Sequence, residues 1–195
     1  CWDRPPFLFL KGKLDDQAPA IAIVGSRDTT PEACEQTRSV SAALASQGVC
    51  VASGLALGID TAAHEGALDV NGHTVAVLGT GMRQVYPPRN GALAEEITRR
   101  GAVLSQFAPD APRTGTSFLR RNSVIAGLSD ASLVMDGRQR SGSRHEAEQS
   151  LRYGRKTLLW APTLHREEWA RRMAATTSAI FVSSVEEVSA ILAAC

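Results

Sequence analysis

Short apolar, β-branched runs recur along this chain at 7–10, 21–24, 49–52, 74–78, 102–104, 132–135, 157–159 and 179–182. Each is the length of a strand. Between most of them lie segments of helical character, at 32–46, 61–70, 92–99, 118–128, 145–153 and 186–192. Strands that are apolar throughout, without a polar alternate face, are covered on both sides, and parallel strands need helical crossovers to join them. The pattern therefore predicts an α/β chain: an extended Rossmann-like fold, a largely parallel sheet with helices on both faces, in one domain over 1–195. Helix punctuation agrees. Thr30 is placed to cap a helix with Pro31 in its first turn and Gly48 as its stop, and Asp60 and Ser184 are further candidate caps. The segment 107–112, with two prolines, is the clearest loop.

Composition narrows the function classes. With 195 residues, 44% of them hydrophobic and 21% charged, the chain can bury a sizeable core. The formal net charge is +1, so binding to nucleic acid would need a local basic cluster. Cysteines at 1, 34, 50 and 195 form no CxxC pair and have no histidine at zinc-finger spacing, which argues against a metal or a disulfide framework and for free thiols in the cytoplasm. No apolar run reaches about 18 residues and no signal-like N-terminus is present, so neither a membrane span nor export is expected. A start at Cys1 in place of Met suits a trimmed domain.

In an open parallel sheet, ligands bind beyond the carboxyl ends of the strands. Those ends carry Gly25-Ser26-Arg27, then the loop from Ser53-Gly54 to Gly58-Ile59-Asp60, then Gly79-Thr80-Gly81, and beyond Asp136 the turn Ser141-Gly142-Ser143. Glycine lets backbone amides approach an anion and a following helix N-terminus attracts it, which is chemistry suited to phosphate. Glycine also serves any tight strand-to-helix turn, and both readings stand for each loop taken alone. No Walker A spacing occurs, and Gly79-Thr80-Gly81 continues as Met82-Arg83-Gln84, so neither ATP hydrolysis nor ordinary NAD binding is expected, and no cofactor is assigned.

A second constellation is Phe118-Leu119-Arg120-Arg121-Asn122, read as the start of a helix. An aromatic beside two arginines suits single-stranded nucleic acid, the ring stacking on a base and the cations pairing with phosphate; the same residues also suit a core Phe with solvated arginines. Arg138, Arg140 and Arg144 add charge around the Ser141–Ser143 turn. Arg27 and Arg121 are expected to contact ligand without carrying the fold. No catalytic constellation is found: His64 has no Ser or Cys partner and is expected to cap or pack, and Asp136 is placed either to meet ligand or to anchor a loop. Trp160, Trp169 and the C-terminal helix are expected in the core, with Arg166, Arg171 and Arg172 on a solvated helix face.

Taken in order, these words resemble the DNA-processing protein A family, also called Smf or DprA: Phe7 to Gly12, Ile23-Val24-Gly25-Ser26-Arg27, Ser53 to Asp60 with Ala63-His64, Val77 to Gly81, Tyr86-Pro87, Phe118 to Asn122 with Ile125 to Ser129, and Ser141 to Ser143. The resemblance implies a Rossmann-like domain that binds single-stranded DNA without catalysis in a positively charged pocket and, in the family proper, helps load the RecA recombinase; it also implies a homodimer. Carried over by position, the pocket would take Gly25, Ser26, Arg27, Gly54, Gly58, Asp60, Phe118, Arg120, Arg121, Asn122, Ser141, Gly142 and Ser143. Three departures stand out: Ser123 where the family usually has Arg, Arg144-His145-Glu146 where it usually has small and hydroxyl residues, and Ala161 to Leu164 in place of a proline-glycine segment. The alternative is a nucleotide sensor or nucleotide-processing domain of the same superfamily. The hydrolase-type Pro-Gly-Gly loop is absent, although Glu146 or Glu148 would bring a carboxylate nearby.

Overall fold

A computed structural model describes residues 4–15, 17–138 and 141–195; Cys1, and Arg140 of the expected basic rim, lie outside the described residues. Among the described residues, eight strands form one sheet: β1 (Phe9–Gly12), β2 (Ala20–Val24), β3 (Cys50–Ser53), β4 (Thr74–Leu78), β5 (Ala102–Ser105), β6 (Ala131–Val134), β7 (Lys156–Trp160) and β8 (Ile180–Val182). Their order is β1-β5-β4-β3-β2-β6-β7-β8, with β1 antiparallel to β5 and every other pair parallel. Each expected run forms a strand, shifted by a residue or two at its ends.

The strands are apolar throughout because their two faces fill two different cores. Ile21 and Ile23 of β2 point to one side, Ala22 and Val24 to the other. The first side packs against α1 (Pro31–Ser46), α2 (Ile59–Asp69) and α8 (Val185–Leu192), through Leu44, Ala63, Val188 and Leu192. Beside them, α3 (Gly91–Arg100) covers Ala76 and Leu78 with Ala94 and Ile97. The opposite side receives α4 (Gly115–Leu128), α5 (Gly142–Arg152) and α7 (Glu168–Thr176), through Ile125, Ala147, Trp169 and Met173. A fully buried side chain such as Ile21 or Ile125 contributes about 1.5–3 kcal/mol. A single turn, α6 (Ala161–Leu164), joins β7 to α7. Trp160 and Trp169 are buried as expected, their indole N–H groups donating to Gln36 and to the Gly137 carbonyl.

Cap chemistry follows the sequence at two helices and departs from it at two. Thr30 accepts from Ala33 N–H with Pro31 in the first turn, and Ser184 accepts from Glu187 N–H. Gly48, at φ 83°, follows the end of α1. Asp60 is not a cap: Gly58 holds that position at φ 75°, and Asp60 lies inside α2. A side chain at Gly58 would also put Cβ 2.5 Å from the Ser26 carbonyl oxygen. Phe118 does not start its helix either. Thr114 and Ser117 form a reciprocal capping box, so α4 begins one turn earlier.

Strand order reverses between β2 and β6. On one side of that junction the chain runs to β3, β4 and β5, on the other to β7 and β8. The loops leaving β2 and β6 therefore diverge and open a crevice at the carboxyl edge, the place where such sheets bind ligands.

Candidate nucleic-acid interface

A cleft of about 740 Å³ occupies this crevice. One wall is the β2–α1 loop, Gly25 to Asp28; facing it are Phe118, Leu119, Arg121, Asn122 and Ile125 of α4, preceded by Arg113 and Thr114. The N-terminus of α5 closes the third side with Ser141, Gly142 and Ser143, and Ala56, Asp60 and Glu146 also line it.

Helical geometry explains the selection from α4. Phe118, Arg121, Asn122 and Ile125 recur at three- and four-residue spacing and share one face, whereas Arg120 and Ser123 share another. The two neighbouring arginines consequently differ in role. Arg121 is 3% exposed, its guanidinium tied by Nη1 to the Gly54 and Val77 carbonyls and by Nε to Asn122 Oδ1. Arg120 is exposed and lies outside the cleft, over the Phe107 ring at 5.6 Å, in a separate groove with Arg4, Phe7 and Gln106.

Gly54 likewise does not line the cleft. A side chain there would drive Cβ into Arg121 Nη1, so the missing side chain makes room for the buried guanidinium. Gly58 shapes the α2 turn from outside the cleft lining. The β4 end, Gly79-Thr80-Gly81, does not open into the cleft: Gly79 packs beneath Phe118, and Gly81 N–H donates to the Ala111 carbonyl.

Phe118 is half-buried, with Arg27 at 4.7 Å and Arg121 at 5.7 Å from its centroid and Tyr86 edge-on at 6.0 Å. Arg113 stands over Tyr86 at 4.7 Å and donates to its hydroxyl. Sequence reasoning missed Arg113, whose only signal is its place one residue before the α4 cap. The Ser26 hydroxyl is taken up locally, donating to the Asp28 carbonyl and accepting from its N–H. Asp136 accepts from Thr29 Oγ1, which makes it the anchor of the β2–α1 loop.

At α5, Ser141 holds the cap position but its hydroxyl pairs with that of Ser143 and makes no cap bond. Among the described residues, no side chain caps the first amides of α5 at this edge of the cleft, a favourable end for an anion. Asn122 Nδ2 reaches the Gly142 carbonyl at 3.4 Å and links α4 to this turn. Glu146 lies within the cleft lining, while Glu148 pairs on the surface with Arg144 at 3.0 Å.

Beneath the cleft the charges are buried. Burial pushes the Asp60 carboxyl up, and the Arg121 guanidinium and the Ala56 N–H draw it back. Burial drives His64 down to about 3, with Arg121 adding to the effect. Thr74 donates to the Val51 carbonyl, so its oxygen accepts from His64 Nδ1–H at 2.7 Å and the neutral tautomer is fixed. His64 is therefore a packed core residue.

The profile of the family described as DNA recombination-mediator protein A matches residues 1–193. Protein Smf of Synechocystis is 42% identical over 156 residues, which are 77% of this chain and 39% of that protein. The structure of DNA processing protein A from Streptococcus pneumoniae superposes with a TM-score of 0.86 at 34% identity, covering 94% of this chain and 65% of that one. That of DNA processing protein A from Helicobacter pylori, described for its single-stranded DNA binding mode, superposes at 0.87 with 26% identity, over 97% and 88% of the two chains. The chain spans 39%, 42% and 55% of the length of three curated relatives it matches.

Proposed function

The chain belongs to the DNA recombination-mediator protein A family, and we propose that it binds single-stranded DNA in the β2/β6 cleft as the Rossmann-like domain of a DNA-processing protein. One arrangement carries this reading. An exposed arginine, Arg27, a half-buried aromatic, Phe118, and the open amides of an 11-residue helix, α5, converge on a single crevice. Cation and amides suit phosphate, and the ring offers a surface for a base. The role is non-catalytic: the domain acts in the cytoplasm as a homodimer, holds the strand during recombination or transformation, and passes it to a RecA-type recombinase. Of the positions expected to meet DNA, Gly25, Ser26, Arg27, Phe118, Asn122 and the Ser141–Ser143 turn are retained as contacts. Asp60 and Arg121 form the buried part of the cleft lining, Gly54 and Gly58 support it from behind, and Arg120 lies apart.

The test is fluorescence anisotropy of a labelled oligothymidine titrated with the protein at two salt concentrations, with duplex DNA and mononucleotides as competitors. Salt-sensitive binding that resists both competitors is expected, the slope reporting the phosphates neutralised. Displacement by a mononucleotide at comparable concentration would replace this reading with a nucleotide sensor.

A further inference from the structure

Glu146 is a buried carboxyl in the cleft lining that the fold leaves half unpartnered. The residue is 1% exposed and lines the cleft from α5. Its Oε1 accepts from Ser132 Oγ of β6 at 3.0 Å, whereas Oε2 has no hydrogen-bond partner among the described residues. Burying a carboxyl oxygen without a partner is costly, and such an atom in a cleft points to a ligand group that completes it. The Ser132 bond also settles which oxygen is available. With Oε1 engaged as an acceptor, any proton sits on Oε2; once it leaves, Oε2 is an acceptor in need of a donor.

The surrounding charges define the kind of ligand group. Asp60 from α2 acts against ionisation of Glu146 and Arg121 from α4 favours it. β6 brings only the Ser132 hydroxyl, and the one charged residue of β7, Lys156, is exposed. On α5 itself, Arg144 and Glu148 hold each other, and His145 Nδ1 is buried without a partner among the described residues. The buried part of the cleft thus sets two carboxyls against one guanidinium, while Arg27, Arg113 and the α5 amides stand around the opening. A phosphate belongs at the opening. The interior suits a group that donates.

We propose that Glu146 determines base preference in this cleft, accepting at Oε2 a hydrogen bond from the exocyclic amine of a base whose phosphate is held at the opening. The inference rests on the single-stranded DNA reading above. Cytosine and adenine carry such an amine and thymine carries a carbonyl in its place. Burial pushes the Glu146 carboxyl up to about 7, so the accepting form gains weight as the solution becomes alkaline.

Oligo(dC) and oligo(dT) of equal length, labelled alike, are titrated with the wild type and with Glu146→Gln at pH 6 and pH 8. The wild type is expected to prefer oligo(dC) by about tenfold at pH 8, the worth of one hydrogen bond to a charged group. The preference shrinks at pH 6, where Oε2 carries a proton and donates. Glu146→Gln keeps an acceptor for Ser132 and brings the ratio within about twofold at both pH values. Equal wild-type affinities at pH 8, or a preference that survives Glu146→Gln, overturn the inference and leave the DNA reading standing. If the variant does not fold, the wild type decides: a dC/dT ratio identical at pH 6 and pH 8 overturns it. Binding to neither oligonucleotide removes the DNA reading and this inference with it.

Discussion

The guanidinium of Arg27 lies over the ring of Phe118, 4.7 Å from its centroid, so the cation proposed to meet a phosphate and the surface proposed to meet a base are in contact with each other. The two residues come from different elements, the β2–α1 loop and α4, and meet only because strand order reverses between them. A ligand that engages both must share this contact. Arg27→Ala and Phe118→Ala are each expected to weaken oligothymidine binding by about tenfold or more, the worth of one charged contact or one stacked base. The double variant should lose less than the product of the two, since each single change already disrupts the shared contact. Arg27 is exposed, so its removal leaves the urea midpoint unchanged. Losses that multiply independently would mean that the two residues do not act at one site.

Arg121 behaves differently from Arg27, although the sequence presents both as ligand contacts. Its guanidinium is buried and binds the Gly54 and Val77 carbonyls, holding the carboxyl ends of β3 and β4 to α4. Arg121→Ala would take the guanidinium donor from both carbonyls and remove the positive charge facing Asp60 and Glu146. A loss of about 3 kcal/mol or more is expected, read from urea unfolding. Arg121→Lys should also be destabilising, because a single ammonium cannot replace both Nη1, which serves the two carbonyls, and Nε, which serves Asn122 Oδ1. Wild-type stability in Arg121→Ala, with DNA affinity lost, would restore the surface role.

Arg120 supplies the contrasting case on the same helix. It faces a groove with Arg4 and Phe7 on the side of α4 away from the cleft. Arg120→Ala is expected to leave oligothymidine affinity within about twofold at moderate salt, where a charge outside the contact surface is largely screened. A loss as large as that of Arg27→Ala would show that bound DNA continues across α4.

The sheet was legible because it depends on composition and period. Runs such as 74–78 are strand-length and wholly apolar, and Thr30-Pro31 carries its own cap chemistry. The start of α4 was not legible, since Gly115-Thr116-Ser117 has weak helix propensity and the box closes through Ser117 in place of the usual Glu or Gln. Within the cleft, sequence spacing brought Arg120 and Arg121 to neighbouring angles but says nothing of depth. Depth is set by what lies underneath, here two strand-end carbonyls and a glycine that makes room. Gly54 itself read as a phosphate contact because a close approach to ligand and a close approach to a buried side chain leave the same mark in a sequence. The orientation of Glu146 depends on Ser132, 14 positions away on another element.

Two buried titrating groups, Glu146 and His64, oppose each other in their effect on stability. Glu146 is pushed up to about 7 from an ordinary 4.5, chiefly by burial, so the folded chain holds this proton more tightly than the unfolded one. Its contribution is full below about 4.5 and is lost as pH rises through about 7. His64 is driven down to about 3 from 6.5, again by burial, so its contribution is full above 6.5 and is lost as pH falls toward 3. Between 4.5 and 6.5 the two slopes have opposite sign and largely cancel. Asp60, also raised by burial, adds to the Glu146 side, so the informative quantity is a difference between proteins. Urea unfolding of wild type and Glu146→Gln at intervals from pH 4.5 to pH 7.5 isolates it. The advantage of the wild type is expected to shrink as pH rises, by about 1.4 kcal/mol per unit while Glu146 is the only group that differs. In Glu146→Gln, where only Asp60 is left to oppose the His64 slope, stability rises with pH up to about 6.5 relative to the wild type. A constant difference across this range would mean that Glu146 titrates in the folded chain as it does in the unfolded one.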